Sequence, residues 1–213
     1  KVQEVAAAIT GKLKSADMKK RQDLRKLMTF AFVADEAFTS ITDRAVSLTQ
    51  LNDEQWQICI HLSDVAYHIA PDSPLDREAL RRGTSICLGN TVIPILPENV
   101  RQACALVQGQ ERLALSLLIV VDATGEVAGF EIQPSTIEVD YQLTYSQAEA
   151  ALDFHHQKEG ATPSELSASV LENLDRLCQL GQAIRDQRIQ RGSFELALPE
   201  SHRFFEIEEP SGV

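Results

Sequence analysis

Phe30–Leu48, FAFVADEAFTSITDRAVSL, decides how the chain is read. Two runs of aromatic, aliphatic and β-branched residues, FAFV and AVSLTQL, flank a short polar bend that carries Asp35, Glu36 and Asp43. Such runs favour extended structure, so the stretch reads as a β-hairpin with its carboxylates in the connection. Asn52-Asp53 supplies turn chemistry before a third strand, WQICIHL.

Downstream, Pro71, Asp72 and Pro74 mark a loop, and LDREALRRG reads as a short helix closed by Gly83. Pro94 and Pro97 hold VIPILP to an extended or edge segment, and ENVRQACAL is expected to be helical. RLALSLLIVVDATGEVAGFEIQPSTIEV is the clearest strand pair, turning at Asp122–Gly125. Thr144 opens TYSQ and Thr162 opens TPSE, both of the form in which a hydroxyl caps a helix and a Gln or Glu three residues on reaches back. The second predicts a helix from Pro163 to about Arg191, with Leu166, Val170, Leu174, Leu177 and Ile184 on one face and Gly192 as its stop. FELALP and RFFEIEE read as two final strands. Upstream, Val2–Leu13 repeats apolar positions at helical spacing, and a basic, helix-prone stretch continues to about Lys26.

The fold class is therefore α+β, a mostly antiparallel sheet with helices packed on it. A helical segment over residues 1–28 precedes one larger unit over 29–213. With 213 residues, 44% hydrophobic and 24% charged, the composition is that of a globular domain with a sizeable core. No apolar run reaches the ~18 residues that span a bilayer. The first residue is Lys1 rather than Met, so an upstream segment is expected to be missing, and the opening residues, lacking an apolar core, do not read as a secretory signal. Cys59, Cys87, Cys104 and Cys178 have no metal-ligand spacing and read as reduced thiols, which suits a cytoplasmic location. The net charge of −11 argues against tight autonomous binding of nucleic acid, although basic residues gather in Lys12–Lys26 and at Arg77, Arg81 and Arg82.

Phe30–Leu48 together with Trp56–Pro97 resembles the catalytic domain of the ribonuclease II (RNB) family, enzymes that remove nucleotides from the 3′ end of single-stranded RNA. The resemblance extends from about Asp23 to Arg203 and implies that the chain is the first part of such a domain. It also implies a two-Mg²⁺ site built from four aspartates, one followed six positions on by a second and then, after a gap of one, by two adjacent ones. These places fall on Asp35, Ile41, Asp43 and Arg44. Asp35 and Asp43 keep the metal-ligand and catalytic chemistry; Ile41 has no lone pair, and Arg44 brings a permanent cation. Tyr145 matches a family tyrosine that lies against the substrate. Cys87 stands where the family has a base-stacking tyrosine.

Other carboxylate and imidazole groups have competing accounts. Asp35 and Asp43 could be ordinary bend carboxylates, with Asp43 paired to Arg44. His61, Asp64 and His68 could be a metal site, but they fall in a segment that the resemblance makes structural support. His155 and His156 read as solvated. Three functions follow as expectations: a degenerate relative that holds single-stranded RNA or a protein partner without cutting, an active Mg²⁺-dependent 3′→5′ exoribonuclease, and a protein-binding structural subunit. None involves a membrane.

Overall fold

The computed structural model describes residues 1–10, 13, 15–35, 42–88, 91–161 and 164–196. Two helices, α1 (Val2–Ala8) and α2 (Ser15–Met18), lead into strands β1 (Gln22–Asp23), β2 (Thr29–Val33), β3 (Arg44–Gln50) and β4 (Gln55–Ser63). Then come α3 (Val65–His68), α4 (Pro74–Arg82), β5 (Ile86–Leu88), β6 (Thr91–Ile93) and α5 (Glu98–Cys104). The long hairpin β7 (Glu111–Asp122) and β8 (Val127–Glu138) is followed by β9 (Tyr141–Thr144), α6 (Tyr145–His155) and α7 (Ala168–Gln190).

Among the described residues the main sheet has seven strands in the order β1-β8-β7-β4-β3-β2-β9. The four central pairings are antiparallel, and the outer two, β1 with β8 and β2 with β9, are parallel. The expected class, a mostly antiparallel sheet with packed helices, is the observed one. Both faces are covered in part. Leu24, Ala31, Ala45, Ala114 and Ile137 form the core on one face. On the other, α6 and α7 bring Ala148, Val170 and Leu174 onto Phe30, and Leu180 onto Leu48, Trp56 and Val121. A third cluster joins α1 to α4 and α5 through Ala6, Leu75 and Val100.

Local chemistry explains where the elements stop. Ser73 caps α4 and Gly83, at φ +70°, closes it in the left-handed region that glycine tolerates. In the β7–β8 turn, the Asp122 carboxylate accepts hydrogen bonds from the Thr124 and Glu126 amides. Gly125 sits there at φ +83°, and a Cβ added to it would meet the Ala183 carbonyl carbon at 2.4 Å. The hairpin tip is thus wedged against α7, a fit open only to glycine.

A polar chain runs through the middle of the sheet. Ser47 Oγ lies 3.0 Å from His61 Nε2, and His61 Nδ1 lies 2.6 Å from Ser116 Oγ. Ser116 Oγ in turn contacts Ser135 Oγ at 2.5 Å, which donates to the Ala114 carbonyl. His61 is fully buried, and burial pushes its pKa down to about 4, so the imidazole is neutral and both ring nitrogens have partners.

Four sequence expectations need correction. The basic stretch to Lys26 is not a helix: helix ends at Met18, and Gln22 and Asp23 pair with Ser135 and Thr136 of β8. Its cations are taken up by distant acids, Arg21 by Asp64 at 2.6 Å and Arg25 by Glu111 at 2.5 Å. α1 ends at Ala8 because Ile9 turns extended, ahead of the poor helix formers Thr10 and Gly11. α7 starts at Ala168 with Ser167 as its cap; Thr162 and Pro163, on which the earlier start rested, lie outside the described residues. Phe194–Leu196, expected to open a strand, forms none, and residues 197–213, including the second expected strand, lie outside the described residues. The apolar face of α7 and its glycine stop hold: Val170 and Leu174 are buried, Leu177 and Ile184 pack on the core, and Gly192 takes φ +99°.

Candidate functional site

The parallel pairing of β2 with β9 sets Val33 opposite Thr144, and so carries the residues after β2 to the start of α6. There Thr144 Oγ1 accepts from the Gln147 amide, while the Gln147 side chain accepts from the Thr144 amide, the reciprocal cap expected from TYSQ. Asp35 adds to this end: its carboxylate accepts the Ser146 N–H at 3.2 and 3.3 Å. Hydrogen bonds from Thr144 and Ser146 hold the Asp35 carboxyl below the ordinary carboxylate range. A negative charge at a helix N-terminus is also favoured by the helix dipole. Asp35 is thereby fixed as an anion without any metal.

Tyr145 is the first residue of α6 and is 61% exposed. Its ring stacks on Phe32 at a centroid distance of 6.3 Å and 11° between planes. Phe32 continues to Phe30 at 6.4 Å, and Phe30 to Tyr141 at 5.5 Å. One ring face is thus backed by a column of aromatics while the residue remains open to solvent. A groove of about 470 Å³ lies beside it, lined by Phe32, Leu152, Leu174, Leu177 and Cys178 among others.

Asp43 stands just before β3. Its backbone is pinned on both sides: the Asp43 carbonyl accepts from the Ser63 amide, and the buried Thr42 carbonyl accepts from the Leu106 amide. The Thr42 hydroxyl donates to the Arg44 carbonyl at 3.0 Å. The side chains are exposed, Asp43 by 74% and Arg44 by 78%, and Arg44 Nε lies 3.3 Å from Asp43 Oδ1. A cavity of about 330 Å³ opens next to them, with Asp43, Ser63 and Arg101 on its polar side and Val65, Ile95 and Leu96 on its apolar side.

Asp35, Asp43 and Tyr145 therefore occupy one end of three neighbouring strands, β2, β3 and β9. Among the described residues, no three His, Cys, Asp or Glu side chains come together to hold a metal ion. Glu36, Thr39 and Ile41 lie outside the described residues; Cys87 lies in β5 by its backbone, and its side chain lies outside them too.

His61, Asp64 and His68 do not converge on one ligand. His61 is consumed in the buried serine chain, and Asp64 caps α3 and pairs with Arg21. His68 packs edge-on against Tyr67, with its pKa lowered by burial. His155 and His156 are not simply solvated: His156 Nε2 lies 2.9 Å from Asp175 and His155 Nε2 4.0 Å, because α7 passes alongside the end of α6. Sequence reading missed Ser146 as the anchor of Asp35, a contact between residues 111 apart in the chain. The cap at Thr144 was the one local signal pointing to it.

The RNB domain family matches residues 21–211. The chain is 40% identical over 142 residues to the acetazolamide conferring resistance protein zam of Synechocystis, covering 67% of this chain and 18% of that protein. It is 30% identical over 190 residues to ribonuclease R of Thermotoga maritima, covering 88% of this chain and 26% of that protein. The match thus spans between a sixth and about a quarter of these relatives' lengths. In fold it is similar to Mycoplasma genitalium RNase R in complex with double-stranded RNA, with a TM-score of 0.80 at 23% identity, over 91% of this chain and 33% of that one. With the RNB match running over nearly all of its length, this chain belongs to the RNB domain family.

Proposed function

We propose that this member of the exoribonuclease-type RNB family is catalytically impaired, and that it acts by holding single-stranded RNA or a protein partner. The observation that carries the reading is the Arg44 guanidinium, which lies 3.3 Å from the Asp43 carboxylate. Hydrolysis of a phosphodiester by the two-ion route needs a site rich in hard anionic oxygen. Among the described residues, the donor set at this end of the sheet is two carboxylates and a permanent cation. Arg44 cannot lose its proton, so it repels a divalent ion at any working pH and competes with it for Asp43. Asp35 already has amide and hydroxyl donors. These residues do not fit a pair of Mg²⁺ ions.

The opposing reading, an active Mg²⁺-dependent 3′→5′ exoribonuclease, is favoured by Tyr145, whose exposed ring is backed by Phe32 and offers a surface for a base. Incubation of the protein with 3′-labelled single-stranded RNA and Mg²⁺ separates the two, with Asp43→Asn as control. We expect no release of mononucleotides; release that the control abolishes defeats the impaired reading. Ile41→Asp with Arg44→Asp is expected to raise Mg²⁺ affinity, measured by calorimetry. An unchanged affinity would mean that Arg44 is not what weakens the site. A stable protein complex without RNA retardation at low salt would favour protein binding, which the net charge of −11 suits.

A further inference from the structure

Beside the parallel pairing of β1 with β8 lies a cavity of about 380 Å³, lined by Met18, Lys19, Arg21, Asp23, Arg25 and Thr136. That volume falls in the range of small-molecule sites. Thr136 is only 2% exposed, and its Oγ1 is buried without a hydrogen-bond partner. Its neighbours are satisfied: the Leu24 amide donates to the Thr136 carbonyl at 2.9 Å, and Ser135 Oγ belongs to the buried chain through His61. Buried hydroxyls normally find a partner, so one left over on the wall of a cavity points to a group that bonds to it there.

The charge around the cavity selects that group. Lys19–Lys26, KKRQDLRK, carries five cations and one acid on a chain of net charge −11. Arg25 is spent: its Nε and Nη2 hold Asp23 at 2.8 and 2.6 Å, and its Nη1 reaches Glu111. The side-chain bonds from Arg25 keep the Asp23 carboxyl down at about 2, so this anion is already matched by a cation. Arg21 gives Nη2 to Asp64 and Nη1 to the Ala114 carbonyl, two of its five N–H groups. Among the described residues, Lys19 and Lys20 have no acid within ion-pair distance. With Asp17, Asp23, Asp64 and Glu111 all set against the five cations, a positive surplus remains, and Lys19 brings it to the cavity. An unpaired ammonium and an unpaired hydroxyl suit an acceptor-rich anion, and phosphate oxygens have the charge and the lone pairs for both. The cavity also opens at the same end of the strands as the candidate site. Thr136 is near the end of β8, Arg21 pairs with Asp64 just past β4, and the Ser63 amide donates to the Asp43 carbonyl. Three strands separate β1 from β3, which sets the two places roughly 19 Å apart.

We propose that this cavity binds a phosphate group, with the Lys19 ammonium and the Thr136 hydroxyl as direct donors and the Arg21 guanidinium as flanking charge. The group comes from the backbone of single-stranded RNA or from free phosphate; only the first source rests on the RNA-holding reading above. The full chain is titrated with inorganic phosphate, followed by phosphorus NMR, and separately with a fluorescein-labelled single-stranded oligoribonucleotide, followed by anisotropy at low salt. Thr136→Val removes the hydroxyl and leaves no partner behind, so Tm should hold, and Thr136→Ser keeps the hydroxyl. Lys19→Met removes one charge from an exposed side chain. We expect Thr136→Val and Lys19→Met each to weaken phosphate binding roughly tenfold, and Thr136→Ser to bind as the parent does. If RNA supplies the group, its affinity falls by a similar factor in both variants, and Lys19→Met flattens the slope of log K against log salt by about 0.7. A fall for phosphate alone assigns the site to free phosphate. Variant-sensitive phosphate binding by a chain that binds no RNA defeats the RNA-holding reading and leaves the site standing. The proposal is overturned if the parent binds neither ligand, or if either substitution leaves both affinities unchanged. It is overturned as well if Thr136→Ser loses as much as Thr136→Val, or if Thr136→Val lowers Tm, since the hydroxyl would then serve the fold.

Discussion

His61 makes the stability of this domain depend on pH in a window that few other groups share. Its pKa is brought from 6.5 to about 4 by burial between Ser47 of β3 and Ser116 of β7. A proton that the folded state refuses is still taken by the unfolded chain. Above about pH 6.5 both states are neutral at this position and the group is silent. As pH falls through that value the unfolded state alone is protonated, and stability declines until the folded state also accepts the proton near pH 4. With the pKa moving from 6.5 to about 4, and about 1.4 kcal/mol for each unit, the full loss is roughly 3 kcal/mol. About 2.5 kcal/mol of it should be gone by pH 4.5, a large fraction of the ~5–15 kcal/mol that holds a typical domain folded.

The assay is urea unfolding at a series of pH values between about 7.5 and 4.5, followed by fluorescence. The chain has one tryptophan, and Trp56 lies in the core against α7, so its emission reports loss of that packing. His61→Gln can still bond to the serines but does not titrate. It should be less stable than the parent at pH 7.5 and show a flatter decline towards pH 4.5. His68, whose pKa burial also lowers, acts in the same direction in both proteins and cancels in the comparison. Parallel pH profiles for the two proteins would refute the argument, because the decline would then come from some other group.

Two further outcomes test the tertiary fit and the exposed ring of Tyr145. Gly125→Ala forces a side chain into the left-handed region and onto the Ala183 backbone, so stability should fall by at least ~1–2 kcal/mol, read as a lowered Tm; an unchanged Tm would mean that the hairpin tip does not bear on α7. If Tyr145 stacks on a base, Tyr145→Ala should weaken binding of single-stranded RNA at low salt by ~1–3 kcal/mol, or roughly 5- to 150-fold, while Tyr145→Phe binds as the parent does. Fluorescence anisotropy with a labelled oligonucleotide reads this, and equal binding by the alanine variant removes Tyr145 from the interface.

Much of this molecule is written in short-range chemistry. The β7–β8 hairpin, the turn at Asp122, the cap at Thr144 and the stop at Gly83 each rest on residues within a few positions of one another, where steric preference and local hydrogen bonds decide. The placing of Asp35, Asp43 and Arg44 in one short bend between two β-type runs is equally a property of the chain. What the sequence could not settle alone is which distant groups share space. The basic stretch read as a helix because its propensity allows one, yet the register of Gln22 on Ser135 and the acids waiting at Asp64 and Glu111 drew it into the sheet. Asp35 reads as a loop carboxylate until β2 lies parallel to β9 and the amides of α6 arrive beside it. His155 and His156 read as solvated until α7 brings Asp175 alongside. Local propensity is weak, a few tenths of a kcal/mol per residue, and burial or a charged partner supplied from far along the chain outweighs it.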